Sequence, residues 1–206
     1  MQWVICYIDG LNLYYGLKSK GWRRFYWLDL RRLALNLLIS NQGLEAVRYF
    51  TARVSSTPRD QLKPVRQNTY LEALATLPDL TIHLGHFLMK KRYCRNCGNI
   101  WQAPEEKMTD VNIAVELLSD AYDDRFDMAI IVSGDSDLTG PVRSVRTRYP
   151  DKRVIVAFPP GRHSVDLSRS ASAYFTIGRK KLRDSQLPET VVRTDGYALT
   201  RPASWS

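Results

Sequence analysis

No stretch of this chain stays apolar for the roughly 18 residues that a membrane-spanning helix needs. Cysteine is scarce, three in 206 residues, and an odd number builds no disulfide framework, so a reducing, cytoplasmic setting is expected. No positively charged segment followed by an apolar run opens the sequence, and a secretory signal peptide is not expected. Internal repeats are absent as well. What is present is a 44% hydrophobic and 11% aromatic composition, enough for one substantial α/β core and too little for a second full domain. The charge is lopsided, +9 overall, yet the acids concentrate in a few motifs. A basic body around an acidic pocket suits a polyanion whose phosphates dock on Lys and Arg. Many small proteins are basic without touching nucleic acid, so charge alone leaves that partner open.

Strand-like and helix-like runs alternate along the chain. Strands are expected at residues 3–8, 46–54, 80–88, 128–132, 153–158 and 173–177, and helices at 29–40, 59–76, 109–122, 139–149 and 163–171. This alternation predicts βαβ units, a mostly parallel sheet and helices on both of its faces. Two segments depart from it. Residues 90–106 are basic, have turn composition and contain Cys94-Arg95-Asn96-Cys97-Gly98, which suggests an inserted hairpin or knuckle. From about Arg179 to residue 206 periodicity is lost, and a basic, then polar, appended or partly disordered tail is expected.

Carboxylates mark the strand ends. The run Ile130-Ile131-Val132 passes into Ser133-Gly134-Asp135-Ser136-Asp137-Leu138, and Val4 to Ile8 passes into Asp9-Gly10-Leu11-Asn12. In an open α/β sheet, ligands bind at the carboxyl ends of the strands. Acids gathered there are costly unless something cationic neutralises them. Each has a plainer reading too. Asp9 could cap the next helix, with Asn12 as the cap or a polar neighbour, and Asp137 could cap the helix that starts near Leu138. On the 109–122 helix, Asn112, Glu116, Ser119, Asp120 and Asp123 form one polar stripe, read as the solvated face. Asp110 lies about 200° from Asn112 on a 3.6-residue helix and so points inward with Ala114, Leu117 and Ala121. A first-turn acid favoured by the helix dipole is the alternative for Asp110. Together Asp9, Asp110 and Asp135, with Asp137 nearby, make an all-oxygen set suited to Mg²⁺ or Mn²⁺ and to phosphodiester hydrolysis. Lys107, one turn before Asp110, is placed to reach a phosphate or to pair with an acid.

The segments Tyr7-Ile8-Asp9-Gly10-Leu11-Asn12-Leu13-Tyr14, Glu106-Lys107-Met108-Thr109-Asp110-Val111 and Val132-Ser133-Gly134-Asp135-Ser136-Asp137-Leu138 resemble the NYN domain family of PIN-like nucleases. The resemblance covers roughly residues 3–178, and the domain is placed at 1–178. It implies a PIN-like three-layer α/β/α sandwich around a parallel sheet of mainly five strands. It also implies metal-dependent ribonuclease activity, with Asp9, Asp110 and Asp135 on the metal, Asp137 in support and Asn12 beside the site. Members often carry a further acid near the last strand. Here Ser170-Ala171-Ser172-Ala173 stands at that place, and Asp166 is the substitute on offer.

Cys94 and Cys97 have zinc-knuckle spacing, but a structural zinc needs four ligands. His83 and His86 would have to fold back onto them, or two pairs would have to meet across a homodimer; a free reduced pair is the alternative. Lys90, Lys91, Arg92 and Arg95 interleave with Tyr93 and Trp101, and Arg23 and Arg24 with Trp22, Phe25, Tyr26 and Trp27. Such patches track single-stranded RNA through phosphate contacts and stacking, or else are ordinary amphipathic surface. The expected function is a Mg²⁺/Mn²⁺ ribonuclease on single-stranded RNA. Its rivals are a non-catalytic RNA-binding module and a phosphatase or nucleotidase for small phosphates.

Overall fold

The structure, a computed structural model, describes residues 1–58 and 60–205, with residues 103, 104 and 106 described by their backbone alone. Its centre is β1 (Gln2–Asp9), in which Val4 to Ile8 are wholly buried. Period-two alternation divides them, sending Val4, Cys6 and Ile8 to one face and Ile5 and Tyr7 to the other. Helices α1 (Gly10–Ser19) and α2 (Leu30–Leu37) cover the first face. After β2 (Gln42–Ala52), α3 (Lys63–Leu74) completes that layer. The chain then runs through β3 (Leu80–Tyr93) and β4 (Ile100–Lys107) into α4 (Thr109–Tyr122), which lies on the second face. There β5 (Met128–Val132), α5 (Thr139–Arg148), β6 (Arg153–Phe158), α6 (Val165–Ser170) and β7 (Ala173–Thr176) follow. This is the expected α/β/α sandwich.

The sheet has seven strands rather than five, in the order β4-β3-β2-β1-β5-β6-β7, parallel throughout except for β4. The first half of the chain builds outward from β1 on one side and the second half from β5 on the other. The strand order therefore reverses between β1 and β5, where doubly wound sheets open a crevice at their carboxyl ends. The β1–β5 register pairs Ile8 with Val132, which sets Asp9 beside Ser133.

Several expectations change. Helix α1 was not read from the sequence because Gly10 and Gly16 weaken helical propensity. Both are demanded by packing: a Cβ on Gly10 would lie 2.6 Å from the Tyr49 phenol, and one on Gly16 would lie 2.8 Å from the Pro160 carbonyl. Helix α3 starts at Lys63, not at 59, because Pro64 is tolerated only in a first turn; Arg59 lies outside the described residues. Asp29 caps α2 through its carboxylate on the Arg32 N–H, and that helix stops at Leu37, short of 40. Segment 90–106 is indeed a hairpin. Beyond β2, β3 continues from His86 to Tyr93 against Lys107 to Ile100, an arm of about 25 Å at 3.3 Å per residue.

The tail is not appended disorder. It forms α7 (Arg179–Arg183) and the hairpin β8 (Thr190–Val192) and β9 (Ala198–Thr200), and it sends Leu182, Leu187, Val191 and Leu199 into the first core. Those four anchors are irregularly spaced, so they leave no period to read. Among the described residues no helix is long and apolar enough to cross a membrane.

Asp120 is the clearest correction on α4. Instead of facing solvent it is buried, accepting from the Tyr7 hydroxyl at 2.7 Å and from both Nε and Nη2 of Arg48 at 2.5 Å. Glu116, 3.2 Å from Arg48, extends the group to His83. Such a bidentate pair is invisible to a stripe count, since Arg48 sits 72 residues away. Asp120→Ala would leave the buried Tyr7 phenol without its acceptor and half-buried Arg48 with Glu116 alone, and should lower unfolding free energy by about 3 kcal/mol in urea titrations. A loss below about 1 kcal/mol would contradict this role.

His83 stacks on Phe50 and is held below its usual 6.5 chiefly by burial, against the pull of Glu116. The unfolded chain therefore binds this proton more readily than the folded one. Stability should fall as pH drops from about 6.5 through the lower folded value, and a His83→Gln variant should show a shallower fall in the same melting series. Identical slopes would refute it.

Candidate active site

Asp9 ends β1 at the switch point and is almost fully buried. Its Oδ1 accepts from the Asn12 N–H at 2.9 Å, and its Oδ2 accepts from the Ser133 hydroxyl at 2.8 Å. The Ser133 Oγ also accepts from the Asp135 N–H at 3.1 Å, while Asn12 Oδ1 accepts from the Gly134 N–H at 2.9 Å. Two loops, one after each central strand, are thus joined by two hydrogen bonds, Ser133 to Asp9 and Gly134 to Asn12, and each is braced by one bond within itself. Asp9 is the cap of α1, as the plainer reading had it, and Asn12 bridges to the opposite loop. Asp135, not Asp137, caps the following 3-10 turn (Ser136–Leu138), through Oδ1 on the Asp137 N–H at 3.0 Å. Asp137 stands exposed inside that turn.

Helix α4 begins at the same edge and packs against this 3-10 turn. Met108, just before it, holds a left-handed φ of +78°, an uncommon conformation for a bulky residue that costs of the order of 1–3 kcal/mol. It swings the chain from β4 into the helix and delivers buried Thr109 and half-buried Asp110 to the edge. Asp9, Asp110 and Asp135 therefore come from three elements to one edge. Among the described residues no three His, Cys, Asp or Glu side chains stand close enough to hold a metal ion as they are placed. The donors at the edge are hard oxygens, the chemistry that Mg²⁺ and Mn²⁺ take.

The loop after β6 closes the far side and was missed in the sequence. A Cβ on Gly134 would meet the Arg162 Cβ at 2.9 Å, so the Gly134 turn is glycine because this loop lies on it. The Arg162 guanidinium sits 5.8 Å over the Tyr15 ring. Nothing at residue 162 signals this placement, because the contact depends on sheet order. Asp166 is exposed in the first turn of α6, capped by Ser164.

The predicted basic residues divide. Lys90, Arg92 and Lys107 surround Glu105, and Lys107 foremost, then Lys90, hold its carboxyl down to about 2. Glu106 belongs to the same motif, and its side chain lies outside the described residues. Lys91 projects from the opposite face of the arm, by strand alternation. Arg23 and Arg24 are exposed in a short 3-10 turn (Arg23–Phe25), but Phe25, Tyr26 and Trp27 beside them are core. The aromatics of that patch are thus largely its foundation, not its surface.

The zinc reading does not hold. Cys94 and Cys97 lie in the tip of the arm, and His86 is eight residues down a continuous strand, about 26 Å away. His83 is engaged with Phe50 and Glu116. No third ligand joins the two sulfurs among the described residues.

A cavity of about 550 Å³ opens next to the Asp9 loop on the α1–α3 face. Gly10, Tyr14, Tyr26, Tyr49 and Tyr70 line it, Trp205 of the C-terminal segment forms part of its wall, and Phe87 and Met89 of the arm reach it. Burial pushes the Tyr49 phenol up to about 12, so it stays protonated at neutral pH.

Fold and edge together define a sandwich of the PIN-like kind. The NYN domain model matches residues 4–178, and the chain belongs to the NYN domain family, a nuclease-type fold. Among characterised relatives it is similar to 6-hydroxy-3-succinoylpyridine 3-monooxygenase HspA of Pseudomonas putida, at 31% identity across 74% of this chain and 58% of that protein. This chain thus spans somewhat more than half the length of that relative. A crystal structure of a protein of unknown function from Vibrio parahaemolyticus shares the fold, with a TM-score of 0.58 and 21% identity over 90% of this chain and 96% of that one.

Ser133 is the residue this geometry singles out for structure. Removing its hydroxyl strips one acceptor bond from a buried carboxylate and the partner of an N–H. Ser133→Ala should cost about 1–3 kcal/mol in denaturant titrations. An unchanged midpoint would show that the two loops are held by other means.

Proposed function

We propose that this NYN domain is a divalent-metal-dependent ribonuclease that hydrolyses phosphodiester bonds in single-stranded RNA. The observation that carries the reading is Asp9, a buried carboxylate locked by hydrogen bonds at the switch point, with Asp135 and Asp110 brought to the same edge. Asp9, Asp110 and Asp135 would hold Mg²⁺ or Mn²⁺, with Asp137 in support. Bound there, the ion would lower the pKa of water and neutralise charge on the phosphate. The chain's own residues do the positioning. Asn12 and Ser133 hold the Asp9 carboxylate in place. Lys107, Lys91, Arg23, Arg24 and Arg162 offer phosphate contacts, and exposed Tyr93 and Trp101 offer rings to unstacked bases. Lys107, Lys90 and Arg92 contribute less, all three being partly neutralised by Glu105.

The similarity to a 6-hydroxy-3-succinoylpyridine 3-monooxygenase supports a second reading, hydroxylation of a pyridine ring, and the aromatic cavity beside Asp9 is the feature that favours it. That step would need oxygen and a reductant.

Single-stranded RNA with Mn²⁺ should be cut, and EDTA should stop the cutting. Activating the water contributes about 10²–10⁴-fold, so Asp135→Asn should lose about a hundredfold or more in rate. Equal cleavage by Asp135→Asn and the parent would overturn the assignment. RNA that is bound but never cut would favour a non-catalytic module, and turnover of mononucleotides alone would favour a phosphatase.

A further inference from the structure

We propose that the cavity beside Asp9 is a base pocket, which takes one unstacked nucleobase of the RNA strand next to the phosphate being cut. This rests on the ribonuclease reading and specifies how its substrate is held. The pocket and the acidic edge share a wall. Gly10, immediately after Asp9, lines the cavity against Tyr49, and the approach is so close that any side chain at Gly10 would run into that phenol. A base seated against Tyr49 therefore leaves its own backbone beside the Asp9 loop.

The lining suits a flat ring. Tyr14 and Tyr26 stand 5.0 Å apart between centroids, and Trp205 lies edge-on to Tyr26 at 5.7 Å and to Tyr70 at 5.9 Å. Rings in this arrangement offer π faces to any base, which is how sequence-tolerant single-strand binders work. At about 550 Å³ the cavity is within the usual range for small-ligand sites and has room for a base with its ribose.

The rim is cationic. Lys63 and Arg66 line the opening, Arg66 in an ion pair with Asp60, and Arg23 lies close enough to act on Tyr14 and Tyr26. An anionic backbone entering over these groups is favoured.

Few inner polar groups are left to read a base edge. The Gln67 amide is spent on the Ala52 carbonyl and the Val54 N–H, and the Tyr70 hydroxyl donates to the Leu28 carbonyl. Thr51 and the hydroxyls of residues 55–57 line the same space. The pocket should therefore recognise a ring strongly and its identity weakly. Entry requires a base out of its stack, which makes single strands the substrate and duplex a poor one.

Isothermal titration in EDTA, where no cutting occurs, tests this directly with adenosine 5′-monophosphate, uridine 5′-monophosphate and ribose 5-phosphate. Both nucleotides should bind at least about tenfold more tightly than ribose 5-phosphate, and Tyr14→Ala and Trp205→Ala should each remove that advantage. Trp205 is only half-buried, so its variant keeps the test valid if Tyr14→Ala misfolds. Equal binding of ribose 5-phosphate, or binding of a free hydroxypyridine carboxylate while both nucleotides are ignored, would overturn the pocket. Ring-dependent nucleotide binding by a protein that never cuts RNA would sustain the pocket and remove the ribonuclease reading. RNA cleavage without ring-dependent binding would do the reverse.

Discussion

One hydroxyl ties together the loops that follow the two central strands. Ser133 donates to Asp9 at the end of β1 and accepts from the Asp135 backbone at the end of β5, the two strands between which the sheet changes direction. A carboxylate as buried as Asp9 is costly unless its oxygens are satisfied. Ser133 and the Asn12 N–H satisfy one oxygen each, and the Asn12 side chain closes the ring through Gly134. Because those bonds fix the loops, they also fix where α1 starts and where the 3-10 turn is capped.

Around that knot the rest of the fold supplies surfaces. The β3–β4 arm rises from the same edge and carries cations, some balanced by Glu105. The C-terminal segment returns across the first face and brings Trp205 against Tyr26 and Tyr70, so a cavity that begins at Gly10 is closed by residues almost 200 positions later. On the opposite face, Arg48, Asp120 and Tyr7 brace α4, the helix that carries Asp110. The acidic edge is therefore supported from both layers.

Much of this was legible in the sequence, for a physical reason. Strands buried on both faces read as unbroken apolar runs, and their ends as abrupt acids, so β1, β5, Asp9 and Asp135 stood out. Helix α1 did not, because its glycines answer to Tyr49 and Pro160 rather than to local propensity. Asp120 misled because a polar stripe assumes that polar means solvated, and Arg48 supplies an internal partner from another element. Arg162, Tyr49 and Trp205 were illegible for one shared reason: each reaches the site by topology, with nothing in its neighbours to announce it. The tail deceived in the same way, anchored by four scattered apolar residues rather than by a period.

The claim on which the account turns is that the carboxylates at this edge act together on one divalent cation. Electron paramagnetic resonance of Mn²⁺ measures that without reference to any substrate. The parent should bind Mn²⁺, and Asp9→Asn, Asp110→Asn and Asp135→Asn should each weaken binding by about tenfold or more. Parental Mn²⁺ affinity in all three variants would contradict the account.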